Sequence, residues 1–272
     1  MTIKYNIFFR ACDKVESVHN VKRPFGLNKL ETIKVSFYSL YKSLEDSNYK
    51  FVVIGDDLSV ELINFFDNFS DVYIDNSKLG SASKSLKKQI ALALEVPSED
   101  WVYMCEDDYL HRPESIKYIT EFIENKEEYL MTSHKKKNYI NKIIGNLSSL
   151  PLIIHPPDYP DRYKPAWKRL SYLFLSKYCH WRQITNTTHT FLLQASSVKQ
   201  YEKYLKASSI GPSDAKLSEK VYGRLFFYNK AICISPLRGL STHMTETVMT
   251  PLVDWDSLCE KYINEMKSKG LW

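Results

Sequence analysis

This 272-residue chain has few glycines, no paired cysteines and no long apolar run. Its 8 glycines argue against repeated glycine-rich phosphate-binding loops. Its 5 cysteines stand far apart without a C-x-x-C pair, which argues against a zinc ribbon or a redox motif and favours a reducing cytoplasm. No window approaches the roughly 20 apolar residues of a membrane span, and the opening MTIKYNIFFRACD is too polar for a secretory signal. We therefore expect a cytoplasmic protein.

The composition is that of an ordinary globular protein, with 44% hydrophobic and 25% charged residues. The formal net charge of +5 is too small to indicate nucleic acid as a partner by itself. It is compatible with anionic ligands such as nucleotides, phosphates or a lipid surface.

Short apolar runs alternate with segments of helical period along the chain. The first half predicts strands at residues 5–9, 50–54, 71–74 and 101–105, and helices at 27–44, 59–66 and 86–94. The second half predicts strands at 129–132, 188–193 and 232–234, and helices at 113–125, 197–205, 214 to about 227 and 255–266. Such βα alternation predicts an α/β fold with a mostly parallel sheet covered by helices, whose ligands bind beyond the carboxyl ends of the strands.

The most informative segment is WVYMCEDDYL, residues 101–110, where a continuous apolar run stops at Glu106, Asp107 and Asp108. The apolar run is typical of a strand buried on both faces of a sheet. Three carboxylates at its end need partners, because unpaired charge is costly to remove from water. A divalent cation such as Mg²⁺ or Mn²⁺ would supply one, with Asp108 as the first ligand and Glu106 assisting. A solvated acidic turn is the alternative.

The order of these motifs resembles that of GT-A fold glycosyltransferases, particularly the family 2-like group. The resemblance is carried by Asp56-Asp57-Leu58-Ser59 after a buried strand, by the segment 76–93, by the acidic triplet, by Pro212-Ser213-Asp214 opening a helix and by His243. It implies a Rossmann-like GT-A domain over 1–272. Residues 1–110 would bind the nucleotide sugar, and 111–272 would bind the acceptor, with a basic aromatic insertion at about 138–185.

Within that resemblance, several polar residues are candidates for the nucleotide site: Arg10, Asp56, Asp57, Lys84 and Asp107. The two aspartates after the second strand can accept hydrogen bonds from ribose or base, although an ordinary turn explains them almost equally well. Arg10 can contact a phosphate or pair with a neighbouring carboxylate. Lys84 stands in the loop that enters a helix, where positive charge favours phosphate. His243 would complete the metal shell or donate to a phosphate; otherwise it is a polar loop residue.

The resemblance also implies that Asp214 is the base that deprotonates an acceptor hydroxyl in an inverting reaction. A simple helix N-cap is the competing interpretation of this residue. The basic aromatic stretch 159–182 is then an acceptor-side element, and His180, Trp181 and His189 are candidates for stacking against a sugar or a base. A packed insertion with solvated lysines is the alternative.

We therefore expect a metal-dependent glycosyltransferase that moves a sugar from a nucleotide sugar, with UDP-sugars first, to a hydroxyl acceptor. The acceptor remains open between a glycan, a lipid-linked sugar at the inner face of a membrane and modified DNA of the phage type. A nucleotidyltransferase ranks lower because RACDKVESVHN stands where a G-x-G-x-R loop is usual. A non-enzymatic nucleic-acid or carbohydrate binding module would leave the acidic triplet unexplained.

Overall fold

The computed structural model of the protein describes residues 2–14, 22–131, 147–164, 171–211, 214–222 and 230–272. The strands are β1 Lys4–Ala11, β2 Asn48–Asp56, β3 Val72–Ser77, β4 Trp101–Cys105, β5 Tyr109–His111, β6 Leu152–Ile154, β7 Leu173–Leu175, β8 His180–Ile184, β9 Phe191–Gln194, β10 Ile232–Pro236 and β11 Ser241–His243. The α-helices are α1 Lys29–Ser43, α2 Val60–Phe66, α3 Ala82–Leu94, α4 Ser115–Glu124, α5 Lys126–Leu130, α6 Ala195–Ser208, α7 Asp214–Leu217 and α8 Trp255–Ser268.

In the described part of the chain, nine strands form one sheet in the order β3-β2-β1-β4-β9-β6-β10-β8-β7. Strands β1 to β4 are parallel neighbours, and β10 runs parallel to β6. Strand β9 is antiparallel to both β4 and β6, so β6 points the same way as β4. The predicted α/β fold, with a mostly parallel Rossmann-like sheet and flanking helices, is confirmed. The carboxyl ends of β1, β2 and β4 therefore meet at one edge.

The central strands have continuous apolar sequences because both of their faces are covered. Ile7 and Phe9 pack on one face of β1, and Phe8 packs on the other, in a separate cluster with residues of α3 and α6. All five residues of β4 are buried. Burial of both faces fixes the strand ends, so the polar residues that follow lie at the edge of the sheet.

Helix caps at the edge of the sheet follow directly from the sequence. Asn28 precedes α1 and forms a capping box with Glu31, in which each side chain accepts from the other residue's backbone N–H. Ser59 caps α2, as predicted, by accepting from the N–H of Leu62 at 3.3 Å. These caps fix where each helix begins, and Lys29 becomes the first residue of α1.

The strand predicted at residues 129–132 in the second half is wrong. Residues 126–130 form α5 rather than part of a strand at 129–132, since the polar run Lys126-Glu127-Glu128 favours a helical turn after α4. The described part of the segment 138–185, which was expected to be an insertion, contributes β6, β7 and β8 to the central sheet. The helix predicted from residue 214 begins there as α7 and continues as a π-helical turn, Ser218–Tyr222; residues 223–227 of the prediction lie outside the described residues.

Trp181 is a core residue, contrary to the expectation that it stacks against an acceptor. Its side chain is 0% exposed, packs on Phe122 at 4.9 Å between ring centroids, and donates from Nε1 to Ser176 Oγ at 3.1 Å. The sequence suggested a binding residue because basic residues surround it, but β8 turns the ring inward. In the part of the chain that the structure describes, no helix combines the length and apolarity needed to cross a bilayer.

Candidate functional site

A cavity of about 530 Å³ opens at the carboxyl edge of β1, β2 and β4. This volume is in the range of small-molecule sites. Its lining comes from the strand ends and from the starts of α1 and α3: Arg10, Ala11, Cys12, Lys14, Lys29, Asp56, Asp57, Gly80, Ser81, Ala82, Ser85, Glu106, Asp107 and Asp108. The structure thus brings five of the predicted nucleotide and metal residues that follow β2 and β4, together with Arg10, around one cavity.

The first two carboxylates of the acidic triplet each bind a basic side chain of the cavity. Glu106 accepts from Arg10 at 2.8 Å. Asp107 accepts from the ammonium of Lys29 at 2.7 Å and from the backbone N–H of Cys12 at 2.9 Å. Burial opposes the charge of Lys29, but Asp107 and Asp108 outweigh it and raise the pKa of the ammonium. Both oxygens of Asp107 are therefore occupied by the protein itself.

The third carboxylate, Asp108, is held by His243, which lies outside the cavity lining. Nε2 of His243 lies 3.0 Å from Asp108 Oδ2, and its ring stacks on Tyr109 with 4.9 Å between centroids. Burial works against both charges, yet the pair lowers the pKa of Asp108 and raises the pKa of His243. Asp108 Oδ1 is buried and has no hydrogen-bond partner among the described residues.

A small two-stranded ribbon positions His243 beside Asp108. Strands β5 and β11 are antiparallel, with Tyr109 opposite His243, and the N–H of Met244 donates to the carbonyl of Asp108 at 2.7 Å. Tyr159 supports the ring from its other nitrogen, with its hydroxyl 3.3 Å from His243 Nδ1 and 2.6 Å from the hydroxyl of Tyr109. His243 does not line the cavity. It acts on the site through Asp108.

The two aspartates at the end of β2 have different roles: Asp56 holds a loop in place, and Asp57 is more exposed. Asp56 accepts from the backbone N–H groups of Leu79 and Gly80 at 2.7 and 2.8 Å, which ties down the loop before α3. Gly80 has a φ of +74°, where a side chain would be strained. Asp57 pairs with Lys14 at 2.7 Å, and that hydrogen bond lowers the pKa of Asp57.

Lys84 differs from the other predicted nucleotide residues because it does not line the cavity. Its side chain is exposed on the first turn of α3, where its backbone N–H donates to the cap Ser81 at 3.3 Å. The start of α3 does contribute Ser81 and Ala82 to the cavity wall.

Asp214 and His189 form a pair one strand further along the edge. Asp214 Oδ1 lies 3.0 Å from His189 Nδ1, while His189 Nε2 lies 3.3 Å from Ser208 Oγ. Asp214 is 45% exposed, whereas His189 is 5% exposed and so is unsuited to the predicted stacking on an acceptor. Thr190, the next residue, accepts from the N–H of Glu106 at 3.1 Å. Neither member of the pair lines the cavity.

His180 lies apart from these groups. It begins β8, which pairs with the edge strand β7, and its side chain is exposed. The structure therefore does not bring it to the cavity with the acidic triplet.

Whether a divalent cation fits the cavity depends on one residue, Asp108, which has an unpaired oxygen. Among the described residues, no three His, Cys, Asp or Glu side chains are grouped in a way that could hold a metal ion. Mg²⁺ is nevertheless often held by one or two carboxylates plus substrate phosphates. Five of the cavity residues are carboxylates and three are basic. The unpaired Oδ1 of Asp108 fits such an ion, whereas the oxygens of Asp107 and Glu106 Oε1 already have basic or amide partners.

Sequence reasoning missed Lys29, Tyr159 and Thr190. A readable signal existed for Lys29, since the capping box N-K-L-E at 28–31 places it at the start of a helix that follows the first strand. No sequence pattern marked Thr190, and the basic aromatic stretch that begins at Tyr159 did not indicate its contacts at this site; both roles depend on contacts between residues 50 and 84 positions apart.

No family model matches the chain, and no curated protein matches it. Solved structures do match, among them the crystal structure of 4-diphosphocytidyl-2C-methyl-D-erythritol synthase, with a TM-score of 0.41 and 12% identity. That match covers 97% of this chain and 100% of the other. Similarity at that level is too low for the activity of the matched enzyme to bear on this chain. The resemblance to family 2-like glycosyltransferases remains a hypothesis.

Proposed function

We propose that the protein is a metal-dependent glycosyltransferase that uses a nucleotide sugar. The observation that carries the proposal is the buried, unpaired Oδ1 of Asp108 beside a cavity with more carboxylates than bases. An anionic donor would meet repulsion there unless a cation entered with it. A divalent cation held by Asp108 and by the donor's diphosphate would neutralise both and act as a Lewis acid on the leaving group.

The residues around the cavity suit the parts of a nucleotide sugar. Asp57 at the mouth can accept hydrogen bonds from ribose or base hydroxyls, and Asp56 holds the wall that carries Gly80 and Ser81. Arg10 reaches the cavity from the end of β1 and offers positive charge to a phosphate. His243 positions Asp108 from behind, so that Oδ1 remains available.

Asp214 is the best-placed candidate for the base in an inverting transfer. It is half-exposed, it lies one strand beyond Glu106, and His189 holds one of its oxygens. The other oxygen can accept a proton from an acceptor hydroxyl as that hydroxyl attacks the sugar. The acceptor would approach over β9 and its preceding loop, on the far side of Glu106 from β1.

A thermal-shift screen of UDP-, GDP-, CMP- and dTDP-sugars with and without Mn²⁺ tests the donor site. A specific ligand raises the melting temperature by mass action, and we expect a shift that needs both nucleotide and Mn²⁺. Asp108→Asn should abolish it. Asp100→Asn is the matched control, since Asp100 is a buried carboxylate that accepts from Asn6 at 3.1 Å before β4 begins.

The control should retain the shift at a lower starting stability. A metal-dependent shift of normal size in the Asp108 variant would refute the metal assignment. No shift with any nucleotide sugar would refute the donor site itself.

A further inference from the structure

Lys29 is a largely buried lysine in the wall of the cavity, and the proposed reaction does not yet use it. The capping box of Asn28 fixes its backbone at the start of α1. Its side chain is 13% exposed and lines the cavity. A lysine this buried needs a partner, because removing an ammonium group from water is costly.

Lys29 has a partner, Asp107, which accepts only one of the N–H groups of the ammonium. Within the described ranges, the ammonium of Lys29 has a single hydrogen-bond acceptor, Asp107 Oδ1 at 2.7 Å. An ammonium carries three N–H donors. Asp107 is itself fixed through its other oxygen by the N–H of Cys12. Lys29 is therefore anchored at the cavity wall with donors to spare.

Arg10, which also lines the cavity, has unused N–H groups as well. It is 10% exposed and donates from one terminal nitrogen to Glu106, while its buried Nε has no partner in the segments that the structure describes. Two anchored cations with unused N–H groups suit a ligand with several anionic oxygens. A diphosphate has such oxygens on both phosphorus atoms, and charge-assisted bonds to them are the strong kind.

We propose that Lys29 binds the diphosphate of the donor from the start of α1. This inference rests on the proposed function and adds a binding residue to it. Lys29 keeps its bond to Asp107 while a phosphate oxygen takes a second N–H.

Isothermal titration with inorganic pyrophosphate and Mg²⁺, and with UDP, GDP and CDP, measures this contact without turnover. Loss of one hydrogen bond to a charged group predicts an affinity roughly ten- to a hundredfold lower in Lys29→Met. Lys29→Arg should stay closer to the wild type. Lys34→Met is the matched control, since Lys34 is a buried lysine of the same helix that binds Glu61 at 2.9 Å outside the cavity.

A double variant distinguishes the loss of a phosphate contact from a distortion caused by leaving Asp107 without its cation. Lys29→Met leaves Asp107 without its cation, which by itself could distort the cavity. Lys29→Met/Asp107→Asn removes that unpaired charge. The reference for the double variant is Asp107→Asn alone, which keeps Lys29, and we expect the affinity of the double variant for pyrophosphate to lie well below that of Asp107→Asn. Restored binding in the double variant would overturn the role of Lys29 and leave it a structural ion pair.

The role of Lys29 and the donor site can be refuted separately. Equal affinities of the wild type and Lys29→Met would overturn the role of Lys29 and leave the donor site standing. Absence of binding by the wild type to pyrophosphate and to all three nucleotides would overturn the donor site and the role of Lys29 together. A loss of the same size in Lys34→Met would show that the effect comes from α1 stability, and would also overturn the role of Lys29.

Discussion

Acid should disrupt the pairing of β5 with β11 by favouring protonation of His111, which lies three residues after Asp108. His111 is 0% exposed; its Nδ1 donates to the carbonyl of Tyr109 at 3.0 Å, and its Nε2 lies 2.6 Å from the hydroxyl of Tyr103. A neutral imidazole satisfies both bonds. Burial lowers the pKa of His111 to about 3, against the partial opposition of its bond to the Tyr109 carbonyl.

The unfolding free energy should fall with pH, because the proton binds His111 in the unfolded chain first. Below the unfolded pKa of about 6.5, the unfolded chain takes up a proton at this position and the folded chain does not. Unfolding is therefore favoured as the pH falls from about 6.5 towards the folded value of about 3. At about 1.4 kcal/mol per pH unit, His111 alone should remove about 3 kcal/mol of unfolding free energy between pH 7.5 and 4.5. That is a large share of the usual 5–15 kcal/mol, roughly, of a folded domain.

Urea denaturation at pH 7.5 and 4.5 measures this contribution as a difference between variants. His111→Gln should cost stability at pH 7.5, because Gln cannot make both bonds, but it should lose about 3 kcal/mol less than the wild type on acidification. His180→Gln is the control: its side chain is exposed and it should follow the wild type. Parallel pH profiles for the wild type and His111→Gln would refute the reasoning.

Two further changes test neighbouring parts of the site. Asp214→Asn should leave donor binding by titration unchanged and reduce transfer roughly 10²- to 10⁴-fold, since an amide held by His189 cannot accept the proton; normal transfer would remove Asp214 as the base. Asn28→Ala should cost about 1 kcal/mol in chemical denaturation by removing the capping box with Glu31. An unchanged denaturation midpoint would show that the cap does not hold the start of α1.

The N-terminal half could be predicted because its strands are buried on both faces. Continuous apolar runs mark β1, β2 and β4 without ambiguity, and the change to polar residues marks their ends. Parallel neighbours then bring those ends to one edge. That is why Arg10, Asp56 and Glu106 could be assigned to one site before any contact was known.

The second half was harder because its strands are short and their partners are distant. Strands β6 and β7 have three residues each, and β9 lies between β4 and β6 although almost ninety residues separate it from β4 in sequence. Local pattern carries no information on such pairings. The prolines, aromatic residues and bases around β6 to β8 therefore resembled an insertion. For the same reason Trp181, which packs on Phe122, resembled a ligand-binding residue.

The acidic triplet shows how the two halves depend on each other. Its three carboxylates are held by Arg10 from β1, Lys29 from α1 and His243 from β11, so no single local segment could hold them. Each carboxylate would repel the others if its base were removed. Because β11 carries His243 and pairs with β5, loss of that ribbon should remove the partner of Asp108 before the parallel strands separate. On this argument, acid should abolish donor binding at a higher pH than it unfolds the central sheet.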